Sequence, residues 1–128
     1  MSFKIYLRKY LIFQREALLD IKYGAYNKAV SALWFSLEAL LRGLLLKEGK
    51  PTPERAGKLI NVAMNTIFKG ISKSARLSSL LTSIYFRRRE IDHRKKIADE
   101  KYALETLEKY KEALDIISKR YSIPINIL

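Results

Sequence analysis

The sequence contains no cysteine, one histidine, and only 5 glycines and 3 prolines in 128 residues. Without cysteine there are no disulfides and no thiolate chemistry, which is consistent with a cytoplasmic protein. One histidine and no suitably spaced acidic cluster predict no metal site. The glycines are isolated, so no phosphate-binding glycine loop is expected, and no Gly-x-Ser-x-Gly elbow exists. The sequence therefore leaves metal-free chemistry, binding, or neither, and predicts no cofactor.

Acidic residues are also scarce, since 13 Asp and Glu stand against 25 Lys and Arg, for a formal net charge of +12. Such an excess favours a polyanionic partner, with nucleic acid first and an anionic membrane surface second. A basic protein that binds neither remains an alternative. The longest apolar stretch, "AVSALWFSLEALLRGLLL", contains Glu38 and Arg42, which predicts a buried helix rather than a membrane span. Charges within the apolar stretches of residues 1–20 likewise argue against a signal peptide.

Apolar residues recur at helical spacing along nearly the whole chain. This pattern predicts helices over residues 3–22, 26–47, 53–67, 73–93 and 98–120. Short connections between four long apolar faces predict an all-α protein, an up-and-down four-helix bundle with one additional short helix, forming a single domain over residues 1–128. The apolar tail "SIPINIL" is expected to dock on the body of the protein or on a partner.

The segment "YFRRREIDHRKK", residues 85–96, concentrates basic residues around the only histidine. Histidine is the side chain whose ordinary pKa suits proton transfer near neutrality, which makes His93 a candidate acid–base residue. Arginine presents a planar fork of donors that matches phosphate oxygens. A histidine and an arginine are a minimal set for cleaving RNA without metal, because the ribose 2′-hydroxyl supplies the nucleophile. An exposed histidine on a solvated basic face is the alternative.

Helical geometry leaves open which arginine works with the histidine. Arg89 and His93 are four residues apart and share a face, whereas Arg88 lies five residues away. Arg88 interrupts the apolar face of its helix and therefore requires a partner, a polar cavity or a route to water. Either a pair with Glu38 across the bundle or a side chain extended to solvent satisfies that requirement.

Two stretches resemble the HEPN family, the "higher eukaryotes and prokaryotes nucleotide-binding" domains. The stretch "YGAYNKAVSALWFSLEALLRGLLLKEG" resembles the glycine–aromatic turn and alanine-rich helix of that family, through Gly24, Tyr26, Ala29 and Glu38. The stretch "RREIDH" matches the family's Arg-x(4–6)-His motif and lies in the penultimate predicted helix. With the helix order, the resemblance covers nearly the whole chain.

The resemblance implies a homodimeric helical bundle that acts as a metal-independent endoribonuclease of the toxin or defence type. It implies that His93 is the acid–base residue, that Arg88 holds the phosphate, and that a nucleotidyltransferase-type antitoxin is a possible partner. Glu38 and Asp92 would support the site. The remaining basic residues of the segment are expected to bind the RNA backbone: Arg87, Arg89, Arg94, Lys95 and Lys96. Alternatives are a non-catalytic nucleotide- or RNA-binding subunit of the same fold and a structural helical adaptor.

Overall fold

The computed structural model describes residues 2–93 and 96–125, and within them it consists of five α-helices without any strand. The helices are α1 (Phe3–Lys22), α2 (Tyr26–Lys47), α3 (Ala56–Asn65), α4 (Ser74–Asp92) and α5 (Glu100–Ser118). The predicted all-α class is confirmed. The bounds of α1 and α2 agree with those predicted from periodicity.

The central helix is α2, which packs against each of the other four helices. All of its leucines except Leu46 are buried, because they occupy positions that face neighbouring helices on several sides. By length and mean hydropathy, 1.6 in its most apolar window, α2 is apolar enough to cross a membrane, but 72% of that window is buried inside the protein. Such burial is typical of a core helix and agrees with the prediction for this stretch.

Glycines in left-handed conformation end α1 and α2. Gly24 has φ +79° and Gly49 has φ +67°. After α1, the N–H of Ala25 donates to the carbonyl of Asp20 at 2.7 Å, so a left-handed turn satisfies a free helix carbonyl. The helix ends follow from residues that adopt this conformation at little cost.

The start of α3 differs from the prediction of a helix over 53–67. The guanidinium of Arg42 donates to the carbonyl oxygens of Pro53 at 2.6 Å and Glu54 at 3.1 Å. These contacts hold the segment in a loop, and the helix begins only at Ala56. A side chain from α2, rather than the local sequence, fixes this boundary.

The helices α4 and α5 are each one or two residues shorter at both ends than predicted. Asp99 caps α5, because its carboxylate accepts the N–H of Tyr102 at 2.8 Å. Asn27 lies in the first turn of α2, which begins at Tyr26. Its Oδ1 accepts the N–H of Ala98 at 2.8 Å, which ties the segment before α5 to the start of α2.

A buried polar network links α1, α2 and α5. Gln14 donates to the hydroxyl of Tyr110 at 3.0 Å, and that hydroxyl lies 2.6 Å from Ser36 Oγ. Burial raises the pKa of the Tyr110 hydroxyl, and burial raises that of Tyr10 to about 12. Both hydroxyls therefore remain protonated and available as hydrogen-bond donors over the physiological pH range.

The described part of the tail, up to residue 125, docks on the body of the protein. The hydroxyl of Tyr10 donates to the carbonyl of Pro124 at 2.7 Å, and Ile123 packs against the core. Residues 126–128 lie outside the described part of the chain. The predicted docking on the body is confirmed for the described part of the tail.

Candidate functional site

The last two turns of α4 carry the candidate site. Arg87, Arg88 and Arg89 are consecutive on this helix, so their side chains leave it about 100° apart. Each arginine therefore meets a different neighbour. His93 follows the helix directly and donates its backbone N–H to the carbonyl of Arg89 at 3.0 Å.

Arg87 points towards α5. Its Nη1 donates to the carbonyl of Tyr102 at 3.2 Å and to Thr106 Oγ1 at 3.1 Å, and its guanidinium lies 4.4 Å from the centre of the Tyr102 ring. Its Nη2 is 3.8 Å from a carboxylate oxygen of Glu105. These contacts join α4 to α5. A contact between Arg87 and phosphate stays a prediction, and in this arrangement several of its donors are already occupied.

Arg88 points towards α2. Its guanidinium lies 4.9 Å from the centre of the Phe35 ring, a cation–π contact. Its Nε is 3.0 Å from an oxygen of Asp92, which is ion-pair distance, although the two groups are not aligned as a hydrogen bond. Asp92 therefore supports Arg88 directly, one helical turn away.

The pair between Glu38 and Arg88, one of the two alternatives considered for Arg88, is not formed. Glu38 instead accepts from Arg42 Nη2 at 3.0 Å, within α2. The cause is local, since residues four apart on one helix face meet more readily than residues on separate helices. Glu38 thus holds Arg42, whose guanidinium binds the loop before α3.

Arg89 is the arginine that lies beside the histidine. Its Nη2 is 3.4 Å from Nε2 of His93, and both side chains are exposed. Arginine carries only donors, so this geometry fits a neutral imidazole that has its proton on Nδ1 and a lone pair on Nε2. The guanidinium also lies 5.8 Å from the centre of the Tyr85 ring, which limits its positions.

Lys96 extends the basic surface beyond α4. It is exposed, and its Nζ lies 4.8 Å from the centre of the Tyr102 ring, on which Arg87 also rests. Arg94 and Lys95, both predicted to bind the RNA backbone, lie outside the described residues. The described cations of this surface are thus Arg88, Arg89 and Lys96 together with the partly occupied Arg87.

Aromatic rings support these cations, a feature that sequence reasoning missed. The ring of Phe35 makes a cation–π contact with Arg88, and that of Tyr85 with Arg89. The ring of Tyr102 contacts both Arg87 and Lys96. The four-residue spacing from Tyr85 to Arg89 is a signal present in the sequence. The contacts of Phe35 and Tyr102 required knowledge of how α2 and α5 pack against α4.

In residues 2–93 and 96–125 no group of three or more His, Cys, Asp or Glu side chains could hold a metal ion. The site therefore offers one imidazole and a set of arginine and lysine donors. These groups can bind phosphate oxygens and exchange a proton at Nε2 of His93.

Comparison of the chain with protein-family models, with curated proteins and with solved structures finds no match.

Proposed function

We propose that this protein is a metal-independent endoribonuclease of the HEPN type, built on an up-and-down four-helix bundle with one additional short helix. The observation that carries the proposal is the exposed pair of Arg89 and His93 at the basic end of α4, with Nη2 and Nε2 3.4 Å apart. An imidazole lone pair and an adjacent guanidinium provide a proton acceptor and a phosphate-oxygen donor in one place.

In this reaction the ribose 2′-oxygen attacks the adjacent phosphorus, and the bond from phosphorus to the 5′-oxygen breaks. The products are a 2′,3′-cyclic phosphate and a 5′-hydroxyl. Nε2 of His93 accepts the proton of the 2′-hydroxyl. Arg89 donates to a phosphate oxygen as negative charge grows in the transition state, while Arg88 and Lys96 hold the flanking backbone.

A homodimer completes the site in this proposal. The reaction requires one proton acceptor and one proton donor, and each chain supplies a single histidine. Two copies of the α4 end, facing each other, place one imidazole in each role. A nucleotidyltransferase-type protein in the same cytoplasm would act as the antitoxin of such a nuclease.

The test is the substitution His93→Ala, assayed on a 5′-labelled single-stranded RNA in the presence of EDTA. We expect wild-type cleavage to persist in EDTA, and the substitution to lower its rate by about 10²–10⁴-fold, the usual contribution of a general acid–base residue. RNA binding should change little, because the cations remain. The control is Lys4→Ala, at the start of α1, which should cleave at the wild-type rate.

Cleavage that survives in His93→Ala, or that stops on chelation, would contradict the proposal. The second candidate function is RNA binding without cleavage by the same basic surface. It is favoured by the position of Arg88, which turns to Asp92 and Phe35 rather than to His93. Salt-dependent RNA binding by a wild-type chain that leaves RNA intact would select this candidate.

A further inference from the structure

A cleft of about 470 Å³ lies between α1 and α2, next to the candidate site. Phe13 and Phe35 form its apolar surface, with ring centres 5.5 Å apart and ring planes tilted by 48°. Ile91 of α4 closes one side, two residues before His93. Arg88 rests on Phe35, so the cleft and the phosphate-binding surface share this ring.

Polar groups of both charges line the same cleft. Glu16 and Asp20, one turn apart on α1, contribute carboxylates, and α2 contributes the ammonium of Lys28 and the hydroxyl of Ser31. Among the described residues neither carboxylate has a cation within ion-pair distance, and Lys28 has no acidic partner. The carboxylates repel phosphate, so this cleft cannot continue the phosphate track of α4.

A flat ligand that is apolar on its faces and presents both donors and acceptors at its edges would match this combination of rings, carboxylates and ammonium. Nucleobases stack on aromatic side chains through their faces, which suits Phe13 and Phe35. Guanine alone among the RNA bases has two adjacent donors, N1–H and N2–H, that a carboxylate accepts as a pair. It also has two adjacent acceptors, O6 and N7, which are the usual partners of lysine and arginine. Glu16 or Asp20 with Lys28 therefore matches guanine at both edges.

We infer that this cleft is a guanine-binding subsite that selects the base next to the phosphate bound at the end of α4. The subsite rests on the proposed action on RNA and gives that action a base preference. Glu16 and Asp20 are its specificity-determining residues, and Phe13 and Phe35 are its stacking surface.

The first experiment uses free nucleosides, which lack phosphate and so do not engage the basic surface. Guanosine is titrated into the ¹⁵N-labelled protein, and the backbone amide resonances of Lys28, Ser31 and Phe35 are followed by NMR. We expect saturable shifts with guanosine, binding about five- to hundredfold weaker for inosine, which lacks the 2-amino group, and no saturable shift with uridine.

The variants Glu16→Gln and Asp20→Asn identify the carboxylate that reads guanine. We expect one of them, or the double variant, to weaken guanosine binding about five- to hundredfold and to abolish the difference from inosine. The matched control is Glu48→Gln, an exposed carboxylate at the opposite end of α2, which should bind guanosine as the wild type does.

The second experiment measures binding of a uridine hexamer with or without a single guanosine, by fluorescence anisotropy in the His93→Ala background. We expect the hexamer that contains the single guanosine to bind about five- to hundredfold more tightly than the all-uridine hexamer. This preference should vanish in the carboxylate variant that weakens guanosine binding. If guanosine shifts these resonances but the protein cleaves no RNA, the guanine subsite stands and the proposed nuclease activity is ruled out.

If the protein cleaves RNA but guanosine causes no shifts at Lys28, Ser31 and Phe35, the proposed nuclease stands and the guanine subsite is ruled out. A preference that is unaffected by both carboxylate variants would overturn the inference. Spermidine that shifts the same resonances when guanosine does not would also overturn it, and would define the cleft as a cation site.

Discussion

Arg87, Arg88 and Arg89 have the same side chain and three different environments, because each step along α4 turns the side chain by about 100°. Arg87 bonds to α5, Arg88 stacks on Phe35 of α2, and Arg89 stands in solvent beside His93. The contact of Arg89 with His93 agrees with the four-residue spacing. The other two contacts depend on which helices pack beside α4, and the sequence of α4 alone does not predict those neighbours.

Arg89→Ala should therefore lower RNA cleavage more than Arg88→Ala. We expect a loss of about 10²–10³-fold for Arg89→Ala, the usual effect of removing one donor that stabilises transition-state charge. Arg88→Ala should mainly weaken RNA binding. Single-turnover cleavage rates at saturating protein separate the two effects.

Arg89→Lys serves as the conservative variant and should restore little of the rate, because an ammonium does not replace a planar fork of donors. Lys4→Ala again controls for loss of one positive charge. If the severities of Arg88→Ala and Arg89→Ala were exchanged, Arg88 would be the working arginine and the described position of its side chain would change on binding RNA.

The buried hydroxyl of Tyr10 predicts a loss of stability at alkaline pH. Burial raises its pKa to about 12, above the value of about 10 for an unfolded tyrosine. The group therefore contributes stability that is present below about pH 10 and is lost as the pH rises towards 12, by at most about 1.4 kcal/mol per pH unit.

Urea unfolding of the wild type and of Tyr10→Phe at pH 8, 10 and 11.5 checks this expectation. The wild type should be more stable by about 0.5–1.5 kcal/mol at pH 8, because its hydroxyl donates to Pro124, and this difference should fall to zero or change sign by pH 11.5. The comparison cancels the titration of lysines, which both chains share. Tyr23→Phe, at an exposed position, should show no such convergence; a constant difference for Tyr10→Phe would contradict the argument.

At the scale of whole helices, local chemistry decided some boundaries and tertiary contacts decided others. The ends of α1 and α2 could be predicted because Gly24 and Gly49 adopt left-handed backbone conformations that close a helix. The start of α3 could not, because Arg42 binds the carbonyls of Pro53 and Glu54 from another helix.

The crossing of α1 over α2 depends on Gly43. A Cβ atom at this position would lie 2.9 Å from Cβ of Tyr6 and 3.3 Å from a ring carbon of Phe3. Cβ of Tyr6 is fixed to the backbone of α1, so the helices must separate. We expect Gly43→Ala to lower the free energy of unfolding by about 1–3 kcal/mol, measured by urea denaturation.

Gly57→Ala is the matched control. Its Cβ would meet the hydroxyl of Tyr85 at 3.1 Å, and this end of a flexible side chain can move aside. Alanine also favours a helix over glycine by about 1 kcal/mol, so this variant should be neutral or more stable. Equal destabilisation by both substitutions would show that close packing at Gly43 does not set the stability of the crossing.

For the whole molecule, composition predicts the net charge of +12 but not where it acts. The structure places Arg89, His93 and Lys96 at one end, around the end of α4 and the start of the next loop. Lys4 and Lys47 lie at the other end, where Lys47 contacts the ring of Phe3. A polyanion bound at the α4 end should depend on the first group and be indifferent to the second.

The dependence of RNA affinity on salt measures which cations bind phosphate. Each phosphate contact that releases a counterion from single-stranded RNA contributes about 0.7 to the slope of log K against log salt concentration. Arg89→Ala and Lys96→Ala should each reduce that slope by about 0.7, and the double variant by about 1.4, because both side chains are exposed. Arg87→Ala should leave the slope nearly unchanged, since Tyr102, Thr106 and Glu105 already occupy its guanidinium.

Lys4→Ala is the control, because it removes one positive charge at the opposite end of the protein. If Lys4→Ala flattened the slope as much as Lys96→Ala did, RNA would be attracted by the overall charge, and the end of α4 would not be its binding site.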